Sequence, residues 1–409
     1  MARRSSPRPW DRSPKLPVTP RCWSTITKSL LGRRRCHACS TTRPSPNTCA
    51  TVAPNVGATS LGIARRARWS TFIAGSSISA RERKNDGMIT VLAGGVGAAR
   101  FLRGLVTVVD PANITAVVNT GDDSLINGLR ISPDLDTVTY TVAGAIDTER
   151  GWGLGDESWR VMESLARFVS VRPTDSVAAN TWFNLGDRDL ATHLYRTARL
   201  GEGAPLTEVT DEIARAWSLP IRLVPMTDDP VATMIEIVEG STSRIVPFQE
   251  YFVGLRHSVP VRSVRFAGIE SARPNFLPLI DQSTAIVIAP SNPLVSIGPI
   301  RALAGVDAAL TAARTRTVAI SPIIAGAAIK GPADRMLTEL GMEASVVGVA
   351  RLYAPICSTL VIDQQDAHLA GAVEAEGISC VVTDTIMSNP HVSAELARVT
   401  LGAVLEKGH

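Results

Sequence analysis

The sequence predicts an α/β protein, a Rossmann-like parallel sheet with helices on both faces and an inserted, smaller α+β subdomain. Short apolar runs such as Ile89–Leu92 and Ala285–Ala289 have the length and composition of buried parallel strands. Each run leads into a loop rich in Gly, Ser, Asn or Asp and then into a helical pattern. Residues 150–275 show shorter strands and a hairpin pattern, which predict the inserted subdomain.

Residues 1–87 differ sharply in composition from the remainder of the 409-residue chain. They contain 17 Lys and Arg against 3 Asp and Glu, whereas residues 88–409 contain 25 basic and 35 acidic residues. The net charge of +4 therefore comes from the first segment, and it does not indicate nucleic-acid binding by the body of the protein. An Arg- and Ser-rich, acid-poor segment is also typical of an organellar transit peptide, but we favour a translation start assigned too far upstream. We therefore expect residues 1–87 to be a disordered basic extension and Met88 to be the functional start.

Cysteine usage and hydropathy predict a cytoplasmic location without a membrane partner. Cys36 and Cys39 have zinc-site spacing, but the surrounding Arg-, Pro- and Ser-rich sequence has no apolar pattern to fold around a metal, so chance is the favoured interpretation. Only Cys357 and Cys380 follow residue 88, which is typical of a reduced compartment. Residues 1–87 contain no apolar run long enough for a signal peptide or a membrane span.

The first strand of the body opens into a glycine-rich turn. Ile89–Leu92 is followed by Gly94, Gly95 and Gly97, and then by a predicted helix over Ala98–Val109. Glycines at a strand-to-helix junction let backbone amides approach a phosphate. The motif lacks the third glycine of the dinucleotide fingerprint and the GK[ST] of a P-loop, so a plain tight turn remains an equal alternative.

Paired carboxylates follow the second predicted strand. Ile114–Asn119 leads to Asp122 and Asp123, and Asp134 and Asp136 come shortly afterwards, just before a predicted helix. In isolation Gly-Asp-Asp is typical of a solvated turn. The carboxyl end of a parallel strand is, however, where α/β sheets bind ligands. Because Mg²⁺ takes one or two carboxylates and completes its shell with phosphate oxygens and water, the sequence predicts a magnesium site.

The densest polar and aromatic segment spans residues 182–193. Asp187, Arg188 and Asp189 immediately precede a predicted helix, and a carboxylate N-cap accounts for one of these charges. The guanidinium of Arg188 is a candidate for binding an anionic substrate.

The rest of the chain alternates strands, polar loops and helices. The predicted strands are Ile221–Pro225, Met234–Val238, Ile245–Phe248, Thr317–Ile320, Leu360–Ile362 and Cys380–Thr383, and the predicted helices are Trp159–Phe168, Asp366–Glu376 and Val392–Leu405.

These motifs, in this order, resemble one known family from Met88 nearly to the C-terminus. It comprises the transferases of coenzyme F420 biosynthesis, the 2-phospho-L-lactate transferase or phosphoenolpyruvate transferase family. Residues 1–87 have no counterpart in it, so residues 88–409 are expected to form the transferase domain. The matching segments begin at Gly94, Asn119, Pro133, Leu185, Ser291, Ser296 and Ser321.

The resemblance implies a phosphotransferase reaction. An organic acid joined to GMP through a diphosphate would donate its acid-phosphate part to the ribityl hydroxyl of a deazaflavin, 7,8-didemethyl-8-hydroxy-5-deazariboflavin, and release GMP. The resemblance also makes a homodimer the expected assembly.

The resemblance assigns roles to the candidate residues. Asp122 and Asp136 are expected to be catalytic and to hold magnesium, with Asp123 and Asp134 in support. Asp136 and Asn184 are also expected near the deazaflavin. The remaining candidates for binding the substrates are Gly94, Gly95, Gly97, Arg188, Ser291, Asn292 and Ser296.

Two questions stay open from the sequence. The transferred acid is enolpyruvate, lactate or glycerate, which differ by few atoms. The competing function is that of a non-catalytic regulator that binds a nucleotide sugar through a similar glycine loop. The acidic residues at 134 and 136 and the segment from Leu185 to His193 argue against the regulator, and the incomplete fingerprint argues against a dehydrogenase.

Overall fold

A computed structural model of the chain describes residues 87–405. The predictions made for the basic extension, for the start at Met88 and for the Cys36–Cys39 pair concern residues that lie outside this range or at its edge. Within residues 87–405, no helix is both long enough and apolar enough to cross a membrane.

The strands of the described region are, in chain order, β1 (Ile89–Ala93), β2 (Ile114–Val118), β3 (Ser124–Ile126), β4 (Leu129–Ile131), β5 (Arg222–Pro225), β6 (Ala232–Glu239), β7 (Thr242–Pro247), β8 (Val261–Ala267), β9 (Ala285–Ile288), β10 (Thr317–Ile320), β11 (Ile323–Ile324), β12 (Ala327–Ala328), β13 (Thr359–Asp363) and β14 (Ser379–Thr383).

The α-helices are α1 (Gly95–Leu105), α2 (Pro133–Val142), α3 (Arg160–Ala166), α4 (Asp189–Gly201), α5 (Leu206–Ala216), α6 (Leu277–Gln282), α7 (Ile297–Ala302), α8 (Val306–Ala312), α9 (Ala333–Glu339), α10 (Val346–Tyr353), α11 (Ala370–Ala375) and α12 (Pro390–Leu405). Shorter 3₁₀ and π segments lie at Pro111–Asn113, Glu250–Gly254, Arg314–Arg316 and Gln364–Leu369.

A seven-stranded sheet organises the molecule, with the strand order β14-β13-β10-β9-β1-β2-β5. All of its strand pairs are parallel. Strands β1, β2, β9 and β10 are buried along their whole length, which explains their continuous apolar sequences. The predicted α/β fold class is therefore confirmed.

The chain changes direction across the sheet at β1. From β1 it proceeds to β2 and β5 on one side, and it later returns to β9 on the other side and continues outward. This is a topological switch point, where loops diverge and leave a crevice at the carboxyl ends of the strands. The loops after β1, β2 and β9, which carry most of the candidate residues, meet at this crevice.

Helices cover both faces of the sheet, as predicted. On one face, Phe101 of α1, Val138 of α2 and Leu396 of α12 pack against Val91 and its neighbours. On the other face, helices α6, α7, α8 and α10 pack against residues of alternate register, such as Leu92. Burial on both faces fixes the register of each strand, because a shift of one residue would exchange the two faces.

Residues 150–275 contribute to two structures. Strand β5 is the edge strand of the main sheet, whereas β6, β7 and β8 form a separate antiparallel sheet in the order β7-β6-β8. The segment predicted as one inserted subdomain is thus interrupted by a strand of the main sheet. The antiparallel sheet has its own small core around Ile235, Ile237 and Tyr251.

Several element boundaries differ from the prediction. Helix α1 begins at Gly95 rather than Ala98, because Gly95 adopts a φ of +68° and turns the chain directly into the helix. The helix predicted over Asp366–Glu376 is divided into a 3₁₀ segment and α11. The β3–β4 hairpin was missed, although Asn127 and Gly128 at its turn have the positive φ angles that an Asn-Gly hairpin turn requires.

Candidate active site

The loops that follow β1 and β9 are hydrogen-bonded to each other across the switch point. The Gly94 amide donates to Ser291 Oγ at 3.2 Å, and Ser291 Oγ donates to the Gly94 carbonyl at 2.7 Å. Asn292 Oδ1 accepts from the amide of Leu294 at 2.9 Å and so shapes the second loop. Ser291 and Asn292, both predicted to bind substrate, thus also hold the two loops in place.

Each glycine of the first loop has a packing or conformational requirement. A Cβ atom on Gly97 would lie 2.1 Å from the Pro290 carbonyl oxygen, and one on Gly94 would lie 2.6 Å from Ser296 Cβ. The Gly95 amide donates to the carboxylate of Asp134. These glycines allow close approach of loops and helix, and their role in binding phosphate remains a prediction.

A short hairpin brings the four predicted carboxylates together. Asp122 and Asp123 precede β3, the hairpin β3–β4 reverses the chain, and α2 then begins with Asp134 and Asp136 in its first turn. The side chains of Asp122, Asp134 and Asp136 are each less than 10% exposed. The β3–β4 hairpin therefore brings Asp122 and Asp134, which are 12 residues apart in the sequence, to the same crevice.

Asp122 and Asp134 lack a compensating cation, and we call them the open pair. Burial, and after it the charge of Asp134, raise the pKa of Asp122 well above its usual value. Burial raises the pKa of Asp134 to about 6, although Asn119 Nδ2 donates to its Oδ2 at 2.9 Å. Within residues 87–405, Oδ1 of Asp122 has no hydrogen-bond partner. Two buried, repelling carboxylates with an unsatisfied oxygen are suited to bind a cation.

Asp136 has the opposite surroundings. The Arg196 guanidinium contacts both of its oxygens, with Nη1 to Oδ2 at 3.1 Å. His193 Nδ1 lies 3.7 Å from the same Oδ2, and His193 Nε2 lies 3.1 Å from Asp189 Oδ2. Tyr140 donates its hydroxyl to Asp189 Oδ1 at 2.5 Å. We call these five residues the arginine network.

The arginine network depends on one face of α4. Asp189, His193 and Arg196 are spaced i, i+4 and i+7, so they project from the same side of the helix. Arg196 is only 2% exposed and sequence reasoning missed it, although this spacing was the available signal. The role of Asp136 as a metal ligand stays a prediction, and its carboxylate is already occupied by a guanidinium.

Arg188 and Asp123 contact protein groups outside the cavity described below. Arg188 Nη1 donates to the Gly155 carbonyl at 2.5 Å, and its amide donates to Glu157 at 2.8 Å. Asp123 accepts from Ser132 Oγ at 2.7 Å, and burial raises its pKa to about 8. Neither residue lines the cavity.

The helix caps around Arg188 are exchanged between neighbouring helices. Glu157 accepts from the amides of Arg188 and Asp189, at the start of α4. Asp187 instead accepts from the amides of Arg160 and Val161, at the start of α3. Asp187 is therefore a carboxylate cap, as expected, but it caps α3. Helix α4 is capped instead by Glu157, about 30 residues earlier in the chain.

A cavity of about 880 Å³ opens at the carboxyl edge of the sheet. This volume lies towards the upper end of the range for small-molecule pockets, about 300–1,000 Å³. Trp152, Trp182, Phe183 and Phe252 give it an aromatic wall. The predicted site residues that line it are Gly94, Gly95, Gly97, Asp122, Asp134, Asp136, Asn184, Ser291, Asn292 and Ser296.

The donor set for a metal at this cavity is small. In the described residues, no three His, Cys, Asp or Glu side chains form a metal-binding group. The open pair supplies two carboxylates, which is a set that Mg²⁺ uses when phosphate oxygens and water complete its octahedral shell. The side chains present therefore fit magnesium bound together with a phosphorylated substrate.

Comparisons with known proteins cover the same region. A family model described as 2-phospho-L-lactate transferase CofD matches residues 89–400. A phosphoenolpyruvate transferase of Kitasatospora aureofaciens is 41% identical over 325 residues, which cover 78% of this chain and 99% of that protein. A phosphoenolpyruvate transferase of Mycobacterium tuberculosis is 39% identical over 327 residues, 76% of this chain and 96% of that protein. The crystal structure of a upf0052 family member from Bacillus halodurans aligns with a TM-score of 0.49 at 15% identity, covering 78% of this chain and 99% of that one.

Proposed function

This chain belongs to the 2-phospho-L-lactate transferase CofD family, and on that premise we propose that it is a magnesium-dependent phosphotransferase of coenzyme F420 biosynthesis. The proposed acceptor is 7,8-didemethyl-8-hydroxy-5-deazariboflavin. The proposed donor is an organic acid linked to guanosine through a diphosphate. The relatives named phosphoenolpyruvate transferase favour enolpyruvate as the acid, which gives dehydro coenzyme F420-0 as the product.

In the proposed reaction one P–O bond forms and another breaks. The terminal ribityl hydroxyl oxygen of the acceptor attacks the phosphorus that carries the organic acid. The bond from this phosphorus to the bridging oxygen breaks, and GMP leaves with that oxygen. The hydroxyl proton is released, and the phosphodiester product retains the acid.

The open pair is the observation that supports this function best. Asp122 and Asp134 lie buried at the switch point, have raised pKa values and have no cation beside them. Phosphoryl transfer requires charge neutralisation and alignment more than covalent catalysis. Magnesium, when bound there, would neutralise charge on the diphosphate. A pure binding protein would gain nothing from the electrostatic cost of this arrangement.

Other side chains of the cavity suit the two substrates. Trp152 and Trp182 are 43% and 38% exposed and lie at the cavity wall, where a planar deazaflavin ring can stack on them. Asn184 also lines the cavity. Asp136 lines the cavity with its orientation fixed by Arg196, so we assign it the positioning of the attacking hydroxyl. We also propose, from the family resemblance, that the enzyme is a cytoplasmic homodimer.

A direct assay tests the proposal. The full chain is incubated with the deazaflavin, Mg²⁺ and, separately, the enolpyruvyl, lactyl and glyceryl diphosphoguanosine donors. Mass spectrometry should detect GMP and the phosphodiester in equal amounts, with the enolpyruvyl donor fastest, and EDTA should abolish turnover. Absence of turnover with all three donors, together with tight binding of a nucleotide sugar, would instead support a regulator.

A further inference from the structure

Lys330 is a compositional exception in this chain. Residues 88–405 contain 23 arginines and this single lysine. Lys330 lines the cavity, in the loop between β12 and α9. An ammonium is a compact point charge, whereas a guanidinium is a broad planar fork, so the two side chains are not equivalent in a binding site. Within residues 88–405, where every other Lys or Arg position is an arginine, a lysine stands at this position of the cavity.

The Lys330 ammonium lies close to Gly151, another residue that lines the cavity. A Cβ atom on Gly151 would lie 2.4 Å from Lys330 Nζ, and Gly151 adopts a φ of +72°. Gly331, beside the lysine, has a φ of +77°. Two glycines in left-handed conformations therefore allow the loops to meet with the ammonium between them.

Arg100 is the second cation on this side of the cavity. It lies on α1, one turn after Gly97, and long helical side chains lean towards the N-terminus of their helix, which here is the cavity. Burial and the charge of Arg100 lower the pKa of Lys330. Arg100 and Lys330 therefore carry like charges on the lining of one cavity.

Neither cation has a counterion within residues 87–405. The ion pairs and side-chain hydrogen bonds of this region involve neither Arg100 nor Lys330. Arg150, another cavity residue, shows the contrast, since it pairs with Asp147 at 3.0 Å and donates to the Leu154 carbonyl. Two converging and unpaired cations in a cavity form an electrostatic complement to an anionic ligand group.

We infer that Arg100 and Lys330 form an anion subsite that binds the carboxylate of the organic acid in the transferred group. The inference deepens the proposed function and rests on it. The donor carries two phosphates and one carboxylate. The phosphates are assigned to the glycine turn and the open pair, which leaves the carboxylate as the anionic group without a partner. The subsite would thus select acidic transferred groups over neutral ones.

Binding measurements separate the carboxylate from the phosphates. Isothermal titration compares GDP, which has a diphosphate but no organic acid, with the enolpyruvyl donor in the absence of acceptor. In Lys330→Met and in Arg100→Met, we expect donor affinity to fall about 10-fold or more while GDP affinity changes less than about 2-fold. The control is Arg215→Met, because Arg215 is 70% exposed on α5 and lies outside the cavity.

A second measurement uses the unsubstituted protein. The full chain contains five lysines, at positions 15, 28, 84, 330 and 407. Acetylation by an activated ester, quantified by mass spectrometry, should be slowed at Lys330 by the donor but not by GDP, with Lys407 as the internal reference.

The outcomes are distinct. Equal losses of GDP and donor affinity would show that the cations bind phosphate and would overturn the inference, as would unchanged donor affinity in both variants. Protection of Lys330 by GDP would overturn it independently, even if a variant fails to fold. Failure of the proposed function appears separately, as absence of turnover in the unsubstituted enzyme.

Discussion

The open pair and the arginine network place carboxylates of similar sequence context in opposite electrostatic surroundings. Asp134 and Asp136 lie two residues apart on the first turn of α2, and both are buried. Asp136 is held by the Arg196 guanidinium, whereas Asp134 is met by the Asn119 amide and by another carboxylate. The network pairs its buried carboxylates within the protein, whereas no cation of the described residues 87–405 pairs with Asp122 or Asp134. Substitutions in the two groups should therefore have opposite effects on stability and activity.

The largest expected effect is the loss of activity in Asp122→Asn. The asparagine keeps the shape of the side chain but removes the charge that a cation would bind. We expect kcat/KM to fall about 1,000-fold, equivalent to about 4 kcal/mol of transition-state stabilisation. The free energy of unfolding should stay the same or rise in EDTA, because a repulsion between buried carboxylates is removed.

Steady-state kinetics and urea denaturation measure these two quantities on the same preparation. Asp211→Asn is the matched control, since its carboxylate is 63% exposed on the surface of α5. If Asp122→Asn loses stability in proportion to its loss of activity, Asp122 has a structural role like the residues of the arginine network. That result would contradict the proposed difference between the open pair and the arginine network.

Arg196→Met should show the opposite pattern. The substitution leaves Asp136 buried without its cation, and breaking such a pair costs about 3–5 kcal/mol. We expect urea denaturation to show a loss of this size. The double variant Arg196→Met with Asp136→Asn should recover part of it, because no unpaired charge remains. Additive losses in the double variant would mean that the two side chains do not interact energetically.

Prediction from the sequence succeeded where local patterns decide the structure. Apolar runs determine β1, β2, β9 and β10, and the carboxyl ends of these strands meet as parallel topology requires. The position of Asp122 in the cavity follows from that rule, whereas Asp134 is brought there by the β3–β4 hairpin, which the prediction missed. Boundaries such as the start of α1 shifted because Gly95 uses a conformation that helix periodicity does not encode.

Prediction was incomplete where a partner lies far away in the chain. Arg196 is 60 residues from Asp136. Its spacing from Asp189 and His193 predicts a shared helix face, but it does not identify Asp136 as the partner. Arg188 is predicted to bind substrate, but the carbonyl it contacts belongs to Gly155, 33 residues earlier. Long side chains bind whichever acceptor the tertiary structure brings near them, and one sequence does not specify that acceptor.

Tyr140→Phe tests the far end of the arginine network with a smaller expected effect. Burial and the nearby carboxylates raise the pKa of Tyr140, so its hydroxyl remains a donor to Asp189. Removing a hydrogen bond to a charged group costs about 1.5 kcal/mol. The ring contact with Trp217, at 5.2 Å between centroids, is retained. Urea denaturation should report this loss without a change in KM for the donor, and a raised donor KM would place Tyr140 in the substrate site.

Asp123 has features of both the open pair and the arginine network. The pH dependence of protein stability that Asp123 causes decides which of the two it resembles. Burial raises its folded-state pKa to about 8, against about 3.9 in an unfolded chain. Between these values the folded protein holds a proton that the unfolded chain has released, so this contribution to stability declines as pH rises and is lost above pH 8.

An asparagine side chain at this position does not titrate. In EDTA we therefore expect the stability of Asp123→Asn relative to the unsubstituted protein to rise by up to about 1.4 kcal/mol per pH unit between about pH 5 and about pH 8, measured by urea denaturation. The exposed Asp175, changed to Asn, should show no such gain. Parallel stability curves for Asp123→Asn and the unsubstituted protein would mean that Asp123 is ionised when folded, held by the charge of Arg196, and belongs with the arginine network.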